Sequence, residues 1–341
     1  MVPADTHHAG RTRSFSFGDY VVGAASNGRV FGCAFGDGTV RLFDSLTPDA
    51  EPVCIKAHAG AALCISADID KAAFLTGGDD GMLVHTSMLG EAKSLAEHKH
   101  RWVDHVTAHA GSGYRVYSVG KDAYVIPKKS AGEPRKLNHK SSVGGLAINP
   151  KGRRLAVSHY DGVSLWWLGA KDSGPTLLEW KGSHLQLAWS PDGTHIMSAM
   201  QENAVHGWRL SDGEHMRMSG YGAKVRSLAF TRKGHFLATG GADTVVCWPF
   251  TGGGPMGKAP AQFGDTEGVA VTAVAANPKL DLMAAGFETG AVILGQPGQD
   301  RTVSVAGGGG GSVTALCWNP DGDALLTGTE TGEIHITDFR A

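Results

Sequence analysis

The chain has 341 residues, 42% hydrophobic and 19% charged, with a formal net charge of −2. That composition supports a large buried core, and its near-neutral charge offers no global basic field to hold a nucleic-acid backbone. No apolar run is long enough for a membrane-spanning helix, and the first residues, MVPADTHHAGRTRS, lack an apolar leader core. The expectation is a cytoplasmic protein with no membrane and no nucleic-acid partner. Five cysteines, odd in number and without a CxxC pair, fit buried thiols in a reducing compartment.

In chain order, residues 1–11 are expected to be a disordered tail and 12–341 a single repeat domain. The run TRSFSF, from Thr12 to Phe17, alternates like an edge strand. Its partner is expected to be the last block of the chain, which ends after a third strand and lacks a fourth. Strand Arg13 to Phe17 would then complete that block, pair the two ends of the chain and lock a ring.

The clearest block is His139 to Trp167. Val143 to Ile148 reads as one strand, Asn149-Pro150-Lys151-Gly152 as a turn, and Arg154 to Ser158 as a second strand. Tyr160-Asp161-Gly162 is a tight hairpin turn, and Val163 to Trp167 a third strand. Looser copies recur at Ser190 to Ala199, Thr231 to Gly240, Asn277 to Gly286 and Asn319 to Gly328. Aligned on the third strand, the position of Trp166 is held by Phe43, Thr86, Pro127, Trp208, Trp248, Gly295 and Thr337, spaced at roughly 40 to 45 residues, as in four-stranded propeller blades. Outer strands follow each third strand, at 51–56, 92–97, 133–138, 175–180, 214–219, 260–265 and 301–306. A three-stranded meander of this size cannot stand alone in water, so such sheets must pack on one another.

These blocks resemble the WD40-repeat β-propeller family: TVRLFD at Thr39 to Asp44 and the turn Gly78-Asp79-Asp80-Gly81 are close to its consensus. The resemblance implies an all-β, closed propeller of four-stranded antiparallel blades, eight being favoured over seven, with the N-terminal strand completing the last. It also implies a structural hydrogen-bond tetrad, matched by His139, Ser158, Asp161 and Trp166. Other blocks keep part of it: His58, Thr76 and Asp80 with Thr86 in place of Trp, and Thr239, Asp243 and Trp248 with Tyr221 in place of His.

Chemical constellations are sparse. Gly252 to Ala259 matches a phosphate-binding loop except at Ala259, but no helix follows whose N-terminus could hold phosphate. His98, His100, His105 and His109 crowd one block and make zinc binding the alternative reading, without matching a closed tetrahedral motif. A propeller hydrolase, the third reading, would need carboxylates in the channel, where the inner strands offer only Asp104. The acids of the hairpin turns, among them Asp80, Glu202, Glu288 and Glu330, would form a ring, some satisfied within their own turns.

The family resemblance places the residues before the inner strands and in the hairpin turns on one face around the channel mouth. Trp102, Asp104, Tyr160, Tyr221, Lys224, Arg226 and Phe287 are the candidate partner contacts there. The expected function is a non-catalytic, monomeric scaffold that binds one or more proteins or peptides and carries no cofactor.

Overall fold

The computed structural model describes residues 10–47, 49–128, 133–170 and 173–340; residues 1–9, which include His7 and His8 of the expected tail, lie outside it. The secondary structure of the described residues is β-strand throughout, joined by turns. The strands form seven antiparallel sheets, six of four strands and one of six. In chain order they cover residues 21–56, 62–97, 105–138, 145–218, 228–263, 271–307 and 313–338. They are called the first to seventh blades below. Within each repeat the chain runs from the innermost strand outward, so the hairpin between second and third strands lies at the same end of every blade.

The count corrects the eight separate blades favoured by the repeat spacing, and the fourth blade shows why. The strand Arg154–Trp167 doubles back through Asp161 and Gly162 without a break. Its first arm pairs with Gly145–Ile148, and its second arm with the start of Thr176–Trp189. The Leu168 amide donates to the Arg153 carbonyl at 2.9 Å and closes the hairpin. Thr176–Trp189 then continues, past Gly182 at φ +128°, into the pairing with His195–Met200. The fourth sheet thereby holds two sequence repeats, each contributing four pairing segments, joined through the unbroken run Thr176–Trp189.

The N-terminal strand, Arg11–Ser16, adds antiparallel to Glu333–Asp338 along its whole length, from Arg11 opposite Asp338 to Ser16 opposite Glu333. It supplies the outer strand that the seventh blade would otherwise lack. Among the described residues no ladder runs on from that blade to the first, so, contrary to the lock expected from the sequence, the seventh and first blades are not joined to each other by backbone hydrogen bonds. The first strand of each repeat instead touches the first strand of the next, and Val313–Trp318 returns to Val21–Asn27. That seam is apolar: Val21, Phe31, Phe35 and Phe43 of the first blade pack with Ala315, Leu326, Ile334 and Ile336 of the seventh. Phe15 of the N-terminal strand and Phe17 just beyond it cover the seam, with the Arg41 guanidinium 4.3 Å from the Phe17 ring and 4.0 Å from that of Phe35. Desolvation of such side chains, each contributing about 1.5–3 kcal/mol, favours the closed arrangement.

Blade-to-blade approach depends on small residues at one recurring site, the end of the second strand. A Cβ on Gly286 would lie 2.5 Å from Val313 Cγ1, and one on Gly328 would lie 2.6 Å from Val21 Cγ1. These are the glycines that close the repeated AAG and LTG sequences. Glycine is needed there for contact with the neighbouring blade rather than for a turn.

Candidate functional site

The family tetrad survives in pieces, and the pieces differ between blades. In the second blade, His58 Nδ1 meets Asp80 Oδ1 at 3.1 Å and Nε2 meets Thr76 Oγ1 at 2.8 Å. The same carboxylate accepts the amides of Ala59 and Met82. Its pKa is held below the usual value because these hydrogen bonds and His58 outweigh the opposing effect of burial. With Thr86 in place of Trp, the set ends there, and Thr86 Oγ1 is buried without a partner among the described residues.

In the fifth blade Tyr221 takes the part of histidine. Its hydroxyl accepts Trp248 Nε1–H at 2.7 Å and lies 2.8 Å from Thr239 Oγ1, which donates onward to the Val246 carbonyl at 3.2 Å.

The block that matched best in sequence is less complete. Trp166 Nε1 donates to His139 Nε2 at 3.0 Å, but Ser158 Oγ donates to the Leu185 carbonyl of the next repeat at 2.5 Å. Asp161 turns outward. Loop length explains the difference: four positions separate Thr76 from Asp80 and Thr239 from Asp243, but only three separate Ser158 from Asp161. The shorter turn holds Asp161 at φ +70° and cannot fold its carboxylate back toward His139. Burial lowers the His139 pKa to about 4, so the ring is neutral and free to accept the indole N–H.

The hairpin face carries the candidate contacts, but two of them leave the surface. Tyr221 is 8% exposed and bound as above, and Phe287 is 1% exposed in the core between the fifth and sixth blades. Trp102 and Tyr160 are exposed, at 61% and 51%. Asp104 Oδ2 accepts the Gly120 amide at 3.3 Å.

Lys224 and Arg226 line a cavity of about 410 Å³ where the fifth, sixth and seventh blades meet at the axis, together with Thr272, Glu288 and Glu330. The two glutamates act as clasps: Glu288 accepts the Ala270 amide at 3.4 Å and Glu330 the Ser312 amide at 3.0 Å. Glu202 holds the Ser183 amide at 3.1 Å in the same way. The two cations have no ion-pair partner among the described residues.

Sequence reasoning missed a feature of this mouth. Five inner strands begin with a register shift, at Val21/Gly23, Ala62/Cys64, His184/Leu187, Val271/Ala273 and Val313/Ala315. Such bulges re-aim side chains. Thr272 and Thr314 use the turn to donate at 2.7 Å to the Val313 and Val21 carbonyls of the next blade. The repeated VTA at 271–273 and 313–315 was the available signal.

The four histidines proposed for zinc are not gathered. His98 Nε2 bonds Tyr117 Oη at 3.0 Å and its ring lies 4.8 Å from that of Tyr124. His100 sits in a turn at φ +59°. His105 is on an inner strand, its pKa lowered by burial. His109 bonds Ser112 Oγ at 3.0 Å and the Pro150 carbonyl at 3.3 Å.

Among the described residues the potential ligands that do converge are Asp68, Asp70 and His85. Cations already occupy them: Arg115 bridges Asp68 at 2.6 Å and Asp70 at 2.7 Å, and Lys128 reaches Asp70 at 3.2 Å. That network ties the second blade to the third. In the glycine-rich loop before the fifth blade's outer strand, Lys258 Nζ donates to the Thr251 carbonyl.

A ring of radially stacked antiparallel sheets around an axial mouth is a β-propeller. The designed protein Ika8 superposes on it with a TM-score of 0.75 at 18% identity, over 95% of this chain and 97% of that one, which speaks to fold alone. Two family profiles match: "WD domain, G-beta repeat" over residues 214–248 and "Anaphase-promoting complex subunit 4 WD40 domain" over residues 274–341.

With the tetrad remnants above, these matches support a WD40-repeat β-propeller. The chain is similar to WD repeat-containing protein 1-B of Xenopus laevis, 26% identical over 62% of this chain. It is also similar to COMPASS component SWD3 of Saccharomyces cerevisiae, 32% identical over 32% of this chain. The matched segment spans 35% of the length of each of these relatives.

Proposed function

We propose that this protein is a non-catalytic, monomeric interaction scaffold in the cytoplasm whose hairpin face binds a protein or peptide partner. The observation that carries the reading is the pairing, on one face, of exposed Trp102 and Tyr160 with Lys224 and Arg226 at the axial cavity. Aromatic and arginine side chains at a concave mouth are the residue types that anchor protein interfaces. The naming of the yeast relative as a component of COMPASS supports a protein partner rather than a small substrate.

The test is quantitative affinity capture from the native cells with wild type, the double variant Trp102→Ala/Arg226→Glu, and the control Leu280→Ala. Leu280 is exposed and lies in the turn between the first and second strands of the sixth blade, at the other end of the ring. The expected outcome is a partner held by wild type and control and lost by the double variant. Identical capture by all three proteins overturns the assignment of the face.

A further inference from the structure

The opposite end of the ring, where first strands turn into second strands, has a charge character of its own. Between Lys121 and Arg154 the sequence holds nine lysines and arginines against Asp122 and Glu133, in a chain whose net charge is −2; Lys121 and Lys140 belong to the hairpin end, while Lys128, Arg135, Lys151, Arg153 and Arg154 stand toward this one. Some are occupied: Lys136 pairs with Asp122 at 2.9 Å and Lys128 with Asp70 at 3.2 Å. Lys151 and Arg153 are exposed and have no ion-pair partner among the described residues.

Both sit in the turn after the first strand of the fourth blade and line a cavity of about 470 Å³ with Tyr114 and Trp167. Tyr114 also borders an adjoining depression of about 320 Å³ lined by Arg135 and Glu133, so a single groove runs between the third and fourth blades. Trp167 is 42% exposed. The Arg154 guanidinium lies 4.3 Å from its ring centroid, and Arg135 Nη1 donates to its carbonyl at 3.1 Å. Cation–π contact and the carbonyl clamp fix the indole as a platform at the groove wall.

We propose that this groove binds an acidic segment of a partner polypeptide, with an apolar side chain against Trp167 and Tyr114 and flanking carboxylates on Lys151 and Arg153. Charge complementarity selects the occupant: two unengaged cations and two engaged arginines border an aromatic floor, with Glu133 the one carboxylate in the lining among the described residues. An extended peptide presents alternate side chains to one surface, which suits an apolar anchor flanked by acids. A nucleic acid is the poorer fit. Its binding needs a longer basic track, and these cations edge one short concavity on a protein whose net charge is −2. This groove is independent of the hairpin face.

The test is fluorescence anisotropy of a fluorescein-labelled heptapeptide, DEELDEE, titrated with the full chain at low salt. Single-stranded oligo-dT of matched charge serves as the competing probe. Wild type is expected to bind the peptide at least tenfold more tightly than the Lys151→Glu/Arg153→Glu variant. Trp167→Ala should weaken it several-fold without altering the circular dichroism spectrum, while Trp102→Ala on the other face leaves it unchanged. Equal binding by wild type and the charge-reversed variant, or tighter binding of oligo-dT than of peptide, overturns the proposal.

Discussion

Tyr221→Phe removes one oxygen and tests whether the divergent repeat of the fifth blade keeps a working hydrogen-bond relay. In the folded protein the indole N–H of Trp248 donates to Tyr221, whose hydroxyl lies against Thr239, which donates to a strand carbonyl. Phenylalanine retains the packing but leaves the half-buried Trp248 donor without its acceptor and Thr239 without a donor. A lost hydrogen bond plus an orphaned donor costs about 2 kcal/mol. Thr239→Val removes one of the same bonds from its other end and should cost about 1.5 kcal/mol by the same reasoning. Because the two variants share a bond, the double variant should fall short of their sum by about 1 kcal/mol. Equilibrium urea unfolding followed by circular dichroism measures all four corners of the cycle. A Tyr221→Phe effect below about 0.5 kcal/mol, or additivity within that margin, refutes the relay and returns Tyr221 to simple packing.

Three further outcomes follow from the packing. His206 is fully buried, neither of its ring nitrogens has a partner among the described residues, and burial lowers its pKa to about 3 from an ordinary 6.5. The unfolded chain therefore takes up a proton that the folded one refuses as pH falls from 6.5 toward 3, so stability drops through that window. Its contribution to that loss at pH 5 is about 2 kcal/mol, and urea midpoints of His206→Leu should be correspondingly less pH-sensitive. Asp68→Ala deprives Arg115 and His85 of a fully buried carboxylate and should cost about 3 kcal/mol in thermal or urea unfolding. Gly328→Ala drives a methyl into Val21 at the seam between the seventh and first blades and should destabilise by about 1–3 kcal/mol. Alanine at exposed Gly174, which meets nothing within 4 Å, is the neutral control.

The repeat spacing and turn chemistry made the strands legible: all eight aligned third-strand positions fall in strands, and the outer strands lie where the sequence put them. The N-terminal strand was also readable, because TRSFSF alternates and its partner block lacked a fourth strand. The fusion of two repeats was not, since whether a chain breaks its pairing at Gly182 depends on the neighbouring sheet rather than on local propensity. Tyr221 and Phe287 looked like rim residues because an aromatic beside a turn has the same local signature whether it faces solvent or the adjacent blade. Tyr221 could have been judged better from its own block, where it holds the histidine position opposite Thr239 and Trp248. The failure of Asp161 to reach His139 was visible as a one-residue deletion in the hairpin.

The pairing of Arg11–Ser16 with Glu333–Asp338 sets the order in which this protein can become finished. Arg11–Ser16 must wait, unpaired, until Glu333–Asp338 has been translated. Its serines, threonine and arginines keep that waiting segment soluble, while Phe15 reserves it for the apolar cleft beside Glu333–Asp338. Completion is thus a late event of long contact order, governed by chain synthesis and by whatever shields the cleft in the interval.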